Sequence, residues 1–483
     1  MIRAYTVAQV RAAEQELMAQ LPPGTLMQRA AFGLAVHCSR LLGRVSGSSV
    51  VLLVGSGNNG ADALWAGAEL ARRGAQVTAV PLGEPVADAA RALRAAGGRS
   101  TTEPPVQADL VLDGLVGIGG RGPLRPEAAA LVRRVAGRTV AVDLPSGVHS
   151  DTGEADDTAV RAELTVTFGA YKPGLLVGAG RDRAGRVELV DIGLGPHLPE
   201  PAPVGVLQAA DVRTNAPPEG GSPLDKYTRG VVGIAAGSQQ YPGAAVLCTG
   251  AAVRAGAGMV RFAGAPHAAE QVRAHWPEAV VTDATGEDVV QAGRVQAWVV
   301  GPGLGTDELA ERTVRAVLAT DVPVLVDADA LTVCARHPQW LRGRSAPTLL
   351  TPHDREFERF GTAVGGDRTG AARALAADLG VVVLLKGSAT VIARPDGSAR
   401  INPTGTAALA TAGSGDVLSG GCGALLAGGE PDEAGVALAA ASAAYLHGRA
   451  GARAAGGAST SAYAVLQAWP DAVREARAGT LGR

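Results

Sequence analysis

The chain has 483 residues, of which 47% are hydrophobic, 19% charged and 3% aromatic, and its formal net charge is −2. This length accommodates two or three domains, and the composition is that of a globular protein rather than a disordered one. The nearly balanced charge and the few aromatic residues argue against nucleic acid or an anionic lipid surface as a partner.

The four cysteines lie too far apart to suggest a metal or redox pair, so we expect buried, reduced thiols at Cys38, Cys248, Cys334 and Cys422. The first residues, 1–17, carry no unbroken apolar stretch and predict an amphipathic helix capped by Thr6 with Gln9, rather than a signal peptide. No apolar run approaches the length of a bilayer span. We therefore expect a cytoplasmic protein without a membrane partner.

Both halves alternate β-branched runs with Ala- and Leu-rich amphipathic stretches, which is typical of parallel sheets covered by helices. The predicted strands are 49–54, 76–80, 110–112, 139–142 and 164–168, then 231–235, 297–300, 322–326, 348–350 and 381–385. Residues 193–221 between the two series are rich in proline, so part of this segment should be a linker. We place the boundary near residue 203, which predicts an α/β protein with domains 1–203 and 204–483.

A glycine-rich loop, 55–60, follows the first predicted strand and opens a helix. It matches the dinucleotide fingerprint formally, but the second strand ends at 79–82 without the acidic residue that would hold a ribose. Hydride transfer is therefore disfavoured. Either the loop binds an anion at the helix N-terminus, or it is a tight turn that needs glycine for geometry alone.

Two further clusters follow predicted strands in the first half. One runs from Asp113 to Gly119 and the other from Asp143 to Gly147. Each aspartate alone could cap a helix or a turn. Because the carboxyl ends of parallel strands converge on one crevice, the three clusters together favour a ligand site.

At these residues the first half, roughly 1–195, resembles the NAD(P)H-hydrate epimerase domain. The resemblance rests on 57–62, Asp113, 143–147, and 165–169 with Lys172, and it implies interconversion of the R and S forms of nicotinamide nucleotides hydrated at C6. The implied potassium ligands are Asn59, Asp113 and Ser146, with Asp113 also a candidate for the proton transfers. The implied substrate lining is Asn58, Asn59, Gly60, Ala61, Asp62, Gly117, Ile118, Gly119, Gly120, Arg121, Gly122, Pro123 and Asp143.

The second half contains the run Gly413-Ser414-Gly415-Asp416, followed by an apolar helix. Small residues let several backbone N–H groups point at one spot, and the helix dipole adds positive potential there, which predicts an anion hole for a transferring phosphoryl group. Asp416 is then placed to take a proton from an attacking hydroxyl. The alternative is that Asp416 simply caps the helix, but a cap does not need the flanking glycines.

Other strand ends of the second half supply supporting groups. Lys386-Gly387-Ser388 could hold a nucleotide, and Glu356 could organise Mg²⁺ through water. His353 alone is more often a structural histidine. Glycine-rich or acidic turns follow two more strands, at 301–305 and 327–331. There is no P-loop lysine motif and no protein-kinase signature, so phosphate must be held by another device.

Together these segments resemble the ribokinase-like superfamily, and specifically the NAD(P)H-hydrate dehydratase domain, over roughly 204–475. The resemblance, which also includes 226–230 and 254–260, implies that a nucleoside phosphate phosphorylates the hydrate and that loss of phosphate regenerates NADH or NADPH. The fused arrangement favours ADP as the donor. The implied contacts are Ala257, Gly303, His353 and Asp416 for the hydrate, and Lys386, Gly387, Ser388, Ala389, Thr390 and Gly415 for the nucleotide.

The sequence thus predicts an N-terminal Rossmann-like αβα sandwich fused to a C-terminal ribokinase-like αβα domain, an epimerase with an ADP-dependent dehydratase. We expect ADP, Mg²⁺ and K⁺ as cofactors, the hydrates NADHX and NADPHX as substrates, and a homo-oligomer. One alternative is a vitamin or sugar kinase of the same superfamily. The other is a nucleotide sensor with an inactive first domain. The reason to consider it is Ala61, because the family usually has glycine at this position and a positive φ would strain alanine.

Overall fold

The computed structural model describes residues 1–120, 122–213 and 229–479. The chain divides into two units, Arg3–Val204 and Gly205–Arg483, and Met1–Ile2 belongs to the second. The structure contains a seven-stranded sheet and an eleven-stranded sheet, with helices between the strands in sequence. The predicted α/β class is confirmed.

The chain opens with strand β1 (Ile2–Ala4), which belongs to the larger sheet. The smaller sheet has the order β4-β3-β2-β5-β6-β7-β8, and all its neighbouring strands are parallel. Its strands are β2 (Ser49–Val54), β3 (Gln76–Pro81), β4 (Arg99–Ser100), β5 (Gln107–Gly114), β6 (Ala136–Val142), β7 (Leu164–Phe168) and β8 (Arg186–Val190). All five strands predicted for this half are present.

Alternate residues of β2 face opposite sides of this sheet, because side chains alternate along a strand. Val50, Leu52 and Val54 join one apolar cluster, and Val51 and Leu53 join another. Helices therefore cover both faces. They are α1 (Val7–Met18), α2 (Thr25–Leu42), α3 (Asn58–Arg72), α4 (Ala87–Ala95), α5 (Pro126–Arg134) and α6 (Gly178–Ala184).

The larger sheet has the order β1-β9-β18-β17-β16-β15-β14-β13-β10-β11-β12. Its further strands are β9 (Val204–Val206), β10 (Val231–Ala235), β11 (Met259–Gly264), β12 (Val280–Asp283), β13 (Ala297–Val300), β14 (Val324–Val326), β15 (Thr348–Leu350), β16 (Val382–Leu385), β17 (Thr390–Ala393) and β18 (Ala399–Asn402). Strands β10 to β16 pair in parallel, whereas β17 is antiparallel to both β16 and β18. The strand predicted at 322–326 is shorter, since Pro323 has no N–H to donate to a ladder.

The helices of the second unit are α7 (Ala209–Arg213), α8 (Pro242–Arg254), α9 (Pro266–His275), α10 (Glu308–Leu318), α11 (Asp329–Arg336), α12 (Asp354–Phe357), α13 (Arg368–Leu379), α14 (Ser414–Ala427), α15 (Glu433–Ala455) and α16 (Ala462–Ala478). Helix α14 is buried nearly all round, because it packs against α8, α15, α16 and the sheet. Its N-terminus is thereby held firmly.

The cysteines are free and buried, which confirms their predicted state. Thr6 and Gln9 form the predicted capping box at the start of α1. Across the three described stretches of chain, no helix combines the length and the apolarity that crossing a membrane would need.

Candidate functional sites

The end of strand β5 places a buried carboxylate in the first unit. Asp113 is 0% exposed, and it accepts hydrogen bonds from Ser146 Oγ at 2.6 Å, from the Ser146 N–H at 2.8 Å and from the Leu115 N–H at 3.3 Å. Ser146 Oγ accepts a hydrogen bond from the Val116 N–H at 2.9 Å. Burial raises the pKa of Asp113 to about 6, although these hydrogen bonds act in the opposite direction. The segments after β5 and β6 therefore meet at these two side chains.

Helix α3 adds two buried polar side chains near its N-terminus, Asn59 and Asp62. Asn59 Nδ2 and Asp62 Oδ1 have no hydrogen-bond partner among the described residues. A Cβ added to Gly117 would lie 2.9 Å from Asn59 Oδ1, so this amide lies against the loop after β5. Burial, followed by the negative charges of Asp143 and Glu14, raises the pKa of Asp62 well above its usual range.

The loop predicted at 57–62 is helical from Asn58 onward. Ala61 lies within this helix and does not have a positive φ, so the strain that alanine would suffer in a left-handed conformation is absent. Gly60 is the constrained position, because a Cβ there would overlap the carbonyl oxygen of Gly55. The helix starts so close to the preceding strand only because Gly60 has no side chain.

A buried ion pair lies at the ends of β6 and β7. Lys172, 1% exposed, donates to Asp143 Oδ1 at 2.6 Å, to Thr167 Oγ1 at 3.0 Å and to the Phe168 carbonyl at 2.9 Å. Asp143 has a φ of 65°, a left-handed conformation that an aspartate adopts at a cost. Its Oδ1 also accepts from Thr167 Oγ1 at 2.9 Å. The ammonium thereby uses all three of its donors within the protein.

Helix α1 lies beside this site, which sequence reasoning missed. A Cβ added to Gly119 would lie 3.2 Å from Arg11 Nη2, so α1 approaches the loop after β5. Glu14 follows Ala13 and precedes Leu17 on the buried side of the same helix. An acidic residue, Glu14, on the apolar side of an amphipathic helix is the feature of the sequence that could have indicated this. Arg121, predicted for the substrate lining, lies outside the described residues.

The Gly413–Asp416 turn begins helix α14. Gly413 precedes the helix with a φ of 85° and provides no side-chain cap, so Asp416 is not the capping residue. Asp416 lies in the first turn of the helix. Burial, together with the nearby charge of Asp327, raises the pKa of Asp416 to about 7. Near neutral pH this carboxyl can therefore accept a proton.

A second buried ion pair lies next to this turn. Lys386 Nζ donates to Asp327 Oδ1 at 2.8 Å, and Ser419 Oγ donates to Asp327 Oδ2 at 2.7 Å. Burial opposes ionisation of Asp327, but the charge of Lys386 and the hydrogen bonds from Lys386, Ser419 and Thr351 together outweigh it, so the pKa of Asp327 is lowered. A Cβ added to Gly415 would lie 3.6 Å from Lys386 Nζ, so the ammonium faces the N-terminus of α14. The predicted site residues Gly415 and Lys386 are thus brought together.

The segments that follow β14 and β15 contribute further acids. Glu356 caps helix α12 together with His353: its Oε2 accepts from the His353 N–H at 2.9 Å and lies 3.8 Å from Lys386 Nζ. Asp329 Oδ2 accepts from the Gly305 N–H at 2.9 Å. The pKa of Asp416 is raised mainly by burial and by the charge of Asp327, and the negative charges of Asp329 and Glu356 raise it further.

The remaining predicted residues lie in loops of the second unit. Residues 386–389 connect β16 and β17, and Thr390 begins β17. A Cβ added to Gly405 would overlap the carbonyl oxygen of Ser388. Gly303 packs against Tyr241, at the start of α8. Ala257 follows α8 and donates its N–H to the Ala252 carbonyl at 3.2 Å. This hydrogen bond fixes Ala257 to α8 and gives no contact between Ala257 and Asp416. Residues 226–228 of the predicted 226–230 segment lie outside the described residues.

Both units place acids and glycine turns at the carboxyl ends of parallel strands, where open α/β sheets bind ligands. The second unit adds a helix N-terminus, a lysine and a carboxylate able to accept a proton. That combination defines an α/β enzyme equipped for phosphoryl transfer.

A family model described as NAD(P)H-hydrate dehydratase matches residues 232–469, and one described as YjeF-related protein N-terminus matches residues 23–174. The bifunctional NAD(P)H-hydrate repair enzyme Nnr of Mycobacterium tuberculosis is 53% identical over 409 residues, covering 82% of this chain and 83% of the relative. Its counterpart in Corynebacterium glutamicum is 37% identical over 479 residues, covering 82% of each chain. The chain belongs to the family of bifunctional NAD(P)H-hydrate repair enzymes.

Among solved structures, a ribokinase-like superfamily protein from Enterococcus faecalis is 25% identical with a TM-score of 0.51. The match covers 56% of this chain and 96% of that one. The predicted ribokinase-like fold of the second half is confirmed.

Proposed function

We propose that the chain repairs hydrated NADH and NADPH. The first unit interconverts the R and S hydrates, and the second removes water from the S hydrate with ADP as phosphoryl donor, releasing AMP and phosphate. Membership of the repair-enzyme family supports both activities. The observation that carries the second is Asp416, a carboxylate in the first turn of a helix whose N-terminus faces a lysine.

Asp416 is the proposed base of the dehydratase. Its pKa, raised to about 7 by burial, suits a group that takes a proton near neutral pH. The C6 hydroxyl oxygen forms a bond to the β-phosphorus of ADP, its proton passes to Asp416, and the bond to AMP breaks with its electron pair. The ring then loses phosphate from C6 and a proton from C5, which restores NADH or NADPH.

The groups around Asp416 have complementary roles in the proposal. The backbone N–H groups at the start of α14 and the ammonium of Lys386 stabilise negative charge on the transferring phosphoryl group. Residues 386–390 and Gly415 contact the nucleotide. Ala257, Gly303 and His353 contact the hydrate together with Asp416.

The charges at this site fit a magnesium ion. Besides burial, the carboxylates of Asp327, Asp329 and Glu356 raise the pKa of Asp416, and the ammonium of Lys386 acts against them. This excess of carboxylate oxygens, together with the phosphates of ADP, is the donor set that Mg²⁺ prefers. Glu356 would hold the ion through water. When bound, the ion neutralises charge on the phosphates.

In the first unit, Asn59, Asp113 and Ser146 fit a potassium ion. They supply amide, carboxylate and hydroxyl oxygens, which suit a hard monovalent cation, and all three side chains are buried. The ion would add a fixed positive charge to the site. Asp113 is wholly buried and hydrogen-bonded, so it is better suited to hold an ion than to exchange protons. Asn58 to Asp62, residues 117–123 and Asp143 would line the substrate.

The decisive assay incubates the pure chain with S hydrate, ADP and Mg²⁺ and follows NADH absorbance together with AMP and phosphate. Recovery of NADH with equal amounts of AMP and phosphate is expected. A stable phosphorylated product would instead favour the small-molecule kinase. No recovery with either ADP or ATP would refute the dehydratase.

A second assay incubates R hydrate alone and separates R from S by chromatography, with spontaneous conversion subtracted. Conversion above that background is expected. No conversion would favour a nucleotide sensor with an inactive first unit, although the helical Ala61 removes the motive for that alternative. A homo-oligomer and a cytoplasmic location are also proposed, and light scattering of the pure chain tests the former.

A further inference from the structure

One stretch of chain in the second unit joins the two parts of the proposed donor site. This bridging segment, 402–409, runs from the end of strand β18 towards the Gly413–Asp416 turn. Its first residue, Asn402, is paired with Thr390 across β17 and β18. Thr390 is the last residue of the nucleotide loop, the name used here for residues 386–390. The bridging segment therefore connects the nucleotide loop with the turn that begins helix α14.

Hydrogen bonds hold the start of the bridging segment on the middle of helix α15. Asn402 Nδ2 donates to the Ala444 carbonyl at 2.9 Å. Thr404 Oγ1 donates its single proton either to Asn402 Oδ1 at 2.8 Å or to the Tyr445 carbonyl at 2.9 Å. A carbonyl oxygen has two lone pairs, so these bonds add to those within the helix. Thr404 approaches α15 closely because Gly448 has no side chain, since a Cβ there would overlap Thr404 Oγ1.

The residue after Thr404 contacts the nucleotide loop. A Cβ added to Gly405 would overlap the Ser388 carbonyl oxygen and would lie 3.2 Å from that of Gly387. Gly405 does not have a positive φ, so the need for glycine here comes from this close approach rather than from the backbone conformation. Arg368 Nη2 donates to the Lys386 carbonyl at 2.7 Å. The nucleotide loop is thus held in place by both Gly405 and Arg368.

The last residue of the bridging segment contacts the turn that begins α14. Ser414 Oγ donates to the Leu409 carbonyl at 2.6 Å. A Cβ added to Gly451 would lie 2.6 Å from Leu409 Cδ2, so Leu409 packs on α15. Helix α15 packs against α14 and α16 and is buried for most of its length. Both ends of the bridging segment are therefore held by the same packed helix.

We propose that Thr404 is a positioning residue of the dehydratase. Through the bridging segment it sets the position of the nucleotide loop relative to the N-terminus of α14, and so sets where the phosphates of ADP lie in front of Asp416. Thr404 acts through the loop and does not itself contact the reacting atoms. The inference rests on the dehydratase activity proposed above. Phosphoryl transfer is sensitive to this placement, because a displacement of about 1 Å can cost about 100-fold in rate.

The test replaces Thr404 with valine, which keeps the shape of the side chain and removes the hydroxyl. The KM for ADP, and the Kd of ADP measured by calorimetry with Mg²⁺, should rise about threefold to tenfold, the usual effect of one lost hydrogen bond. The value of kcat should also fall, because the β-phosphorus is displaced from the attacking hydroxyl. The KM for S hydrate should stay unchanged, since its proposed contacts Ala257, Gly303 and His353 belong to other segments.

Two further variants separate positioning from a merely structural role. Thr404→Ser restores the hydroxyl and should recover most of the affinity for ADP. Gly405→Ala keeps the Thr404 hydroxyl but displaces the Ser388 carbonyl, and it should raise the KM for ADP while leaving the KM for S hydrate unchanged.

The matched control is Thr320→Val. Thr320 Oγ1 also donates to a carbonyl within a helix end, that of Val317 at 2.7 Å. Thr320 precedes β14, at the amino end of the parallel strands and away from the site, so this variant should keep all the constants. Thermal melting checks that each variant is folded, and Gly405→Ala decides the question if valine at 404 prevents folding.

Three results would overturn the inference. The first is an unchanged KM for ADP in the deciding variant. The second is an equal rise of the KM values for ADP and S hydrate, which would indicate a general disturbance of the unit. The third is an equal effect in Thr320→Val. Failure of the dehydratase proposal itself looks different, because the unmodified chain would then restore no NADH with either ADP or ATP.

Discussion

Replacing Asp416 with asparagine should remove the base of the dehydratase while making the folded chain more stable at alkaline pH. Loss of a general base typically costs about 10²–10⁴-fold in rate. The stability gain has a separate origin. An acid whose pKa rises on folding favours the folded state at low pH, and that contribution disappears as the pH rises through the folded value.

The size of this effect follows from the two pKa values of Asp416. Burial raises the value from 3.8 to about 7 in the folded chain. That difference corresponds to as much as about 4 kcal/mol of stability lost by the unmodified chain between pH 3.8 and pH 7. Asparagine does not ionise, so Asp416→Asn should unfold at a higher urea concentration than the unmodified chain at pH 8, and the difference should shrink at pH 5.

The pH dependence of the dehydratase rate should also report the ionisation of Asp416. In the unmodified chain kcat/KM for the S hydrate should rise with pH below about 7 and level off above it, because Asp416 must be ionised. Asp321→Asn, at an exposed position, is the matched control and should leave the profile unchanged. The reasoning is refuted if Asp416→Asn keeps activity within tenfold, or if its stability at pH 8 does not exceed that of the unmodified chain.

Three further variants test the structure around the two sites. Lys386→Met leaves Asp327 buried without its ammonium and should lower the free energy of unfolding by about 3–5 kcal/mol, measured with urea; an unchanged midpoint would contradict the buried pair. Gly60→Ala forces a Cβ onto the Gly55 carbonyl and should cost about 1–3 kcal/mol by the same measurement, with epimerisation more affected than dehydration. Ala328→Gly relieves a φ of 49° and should raise the free energy of unfolding by about 1 kcal/mol, whereas a loss would show that the strain is absent.

The strands and the phosphoryl-transfer turn could be predicted because their signals are local. Buried parallel strands read as short Val- and Leu-rich runs, and β2, β7 and β10 have the predicted bounds. The glycines, the acid and the apolar run of the turn at Gly413–Asp416 are adjacent in the chain. Its position at a helix N-terminus therefore follows from sequence alone.

The partners of these groups could not be predicted, because folding brings them together from distant segments. Lys386 lies 59 residues from Asp327, and Ser419 lies 92 residues from it. Glu14 belongs to a helix that the sequence marks only as amphipathic. The pKa of each acid depends mainly on its burial. Burial results from the packing of several helices and strands, so it cannot be predicted from a short sequence motif.

Gly413 and its neighbour Ala412 differ in the substitutions that they should tolerate. Gly413 has a φ of 85°, a backbone conformation that residues with a side chain rarely adopt, and a Cβ there would lie 2.6 Å from Leu247 Cδ1. Ala412 is exposed and does not have a positive φ. A library built to change the phosphoryl donor should therefore diversify position 412 and keep 413 fixed.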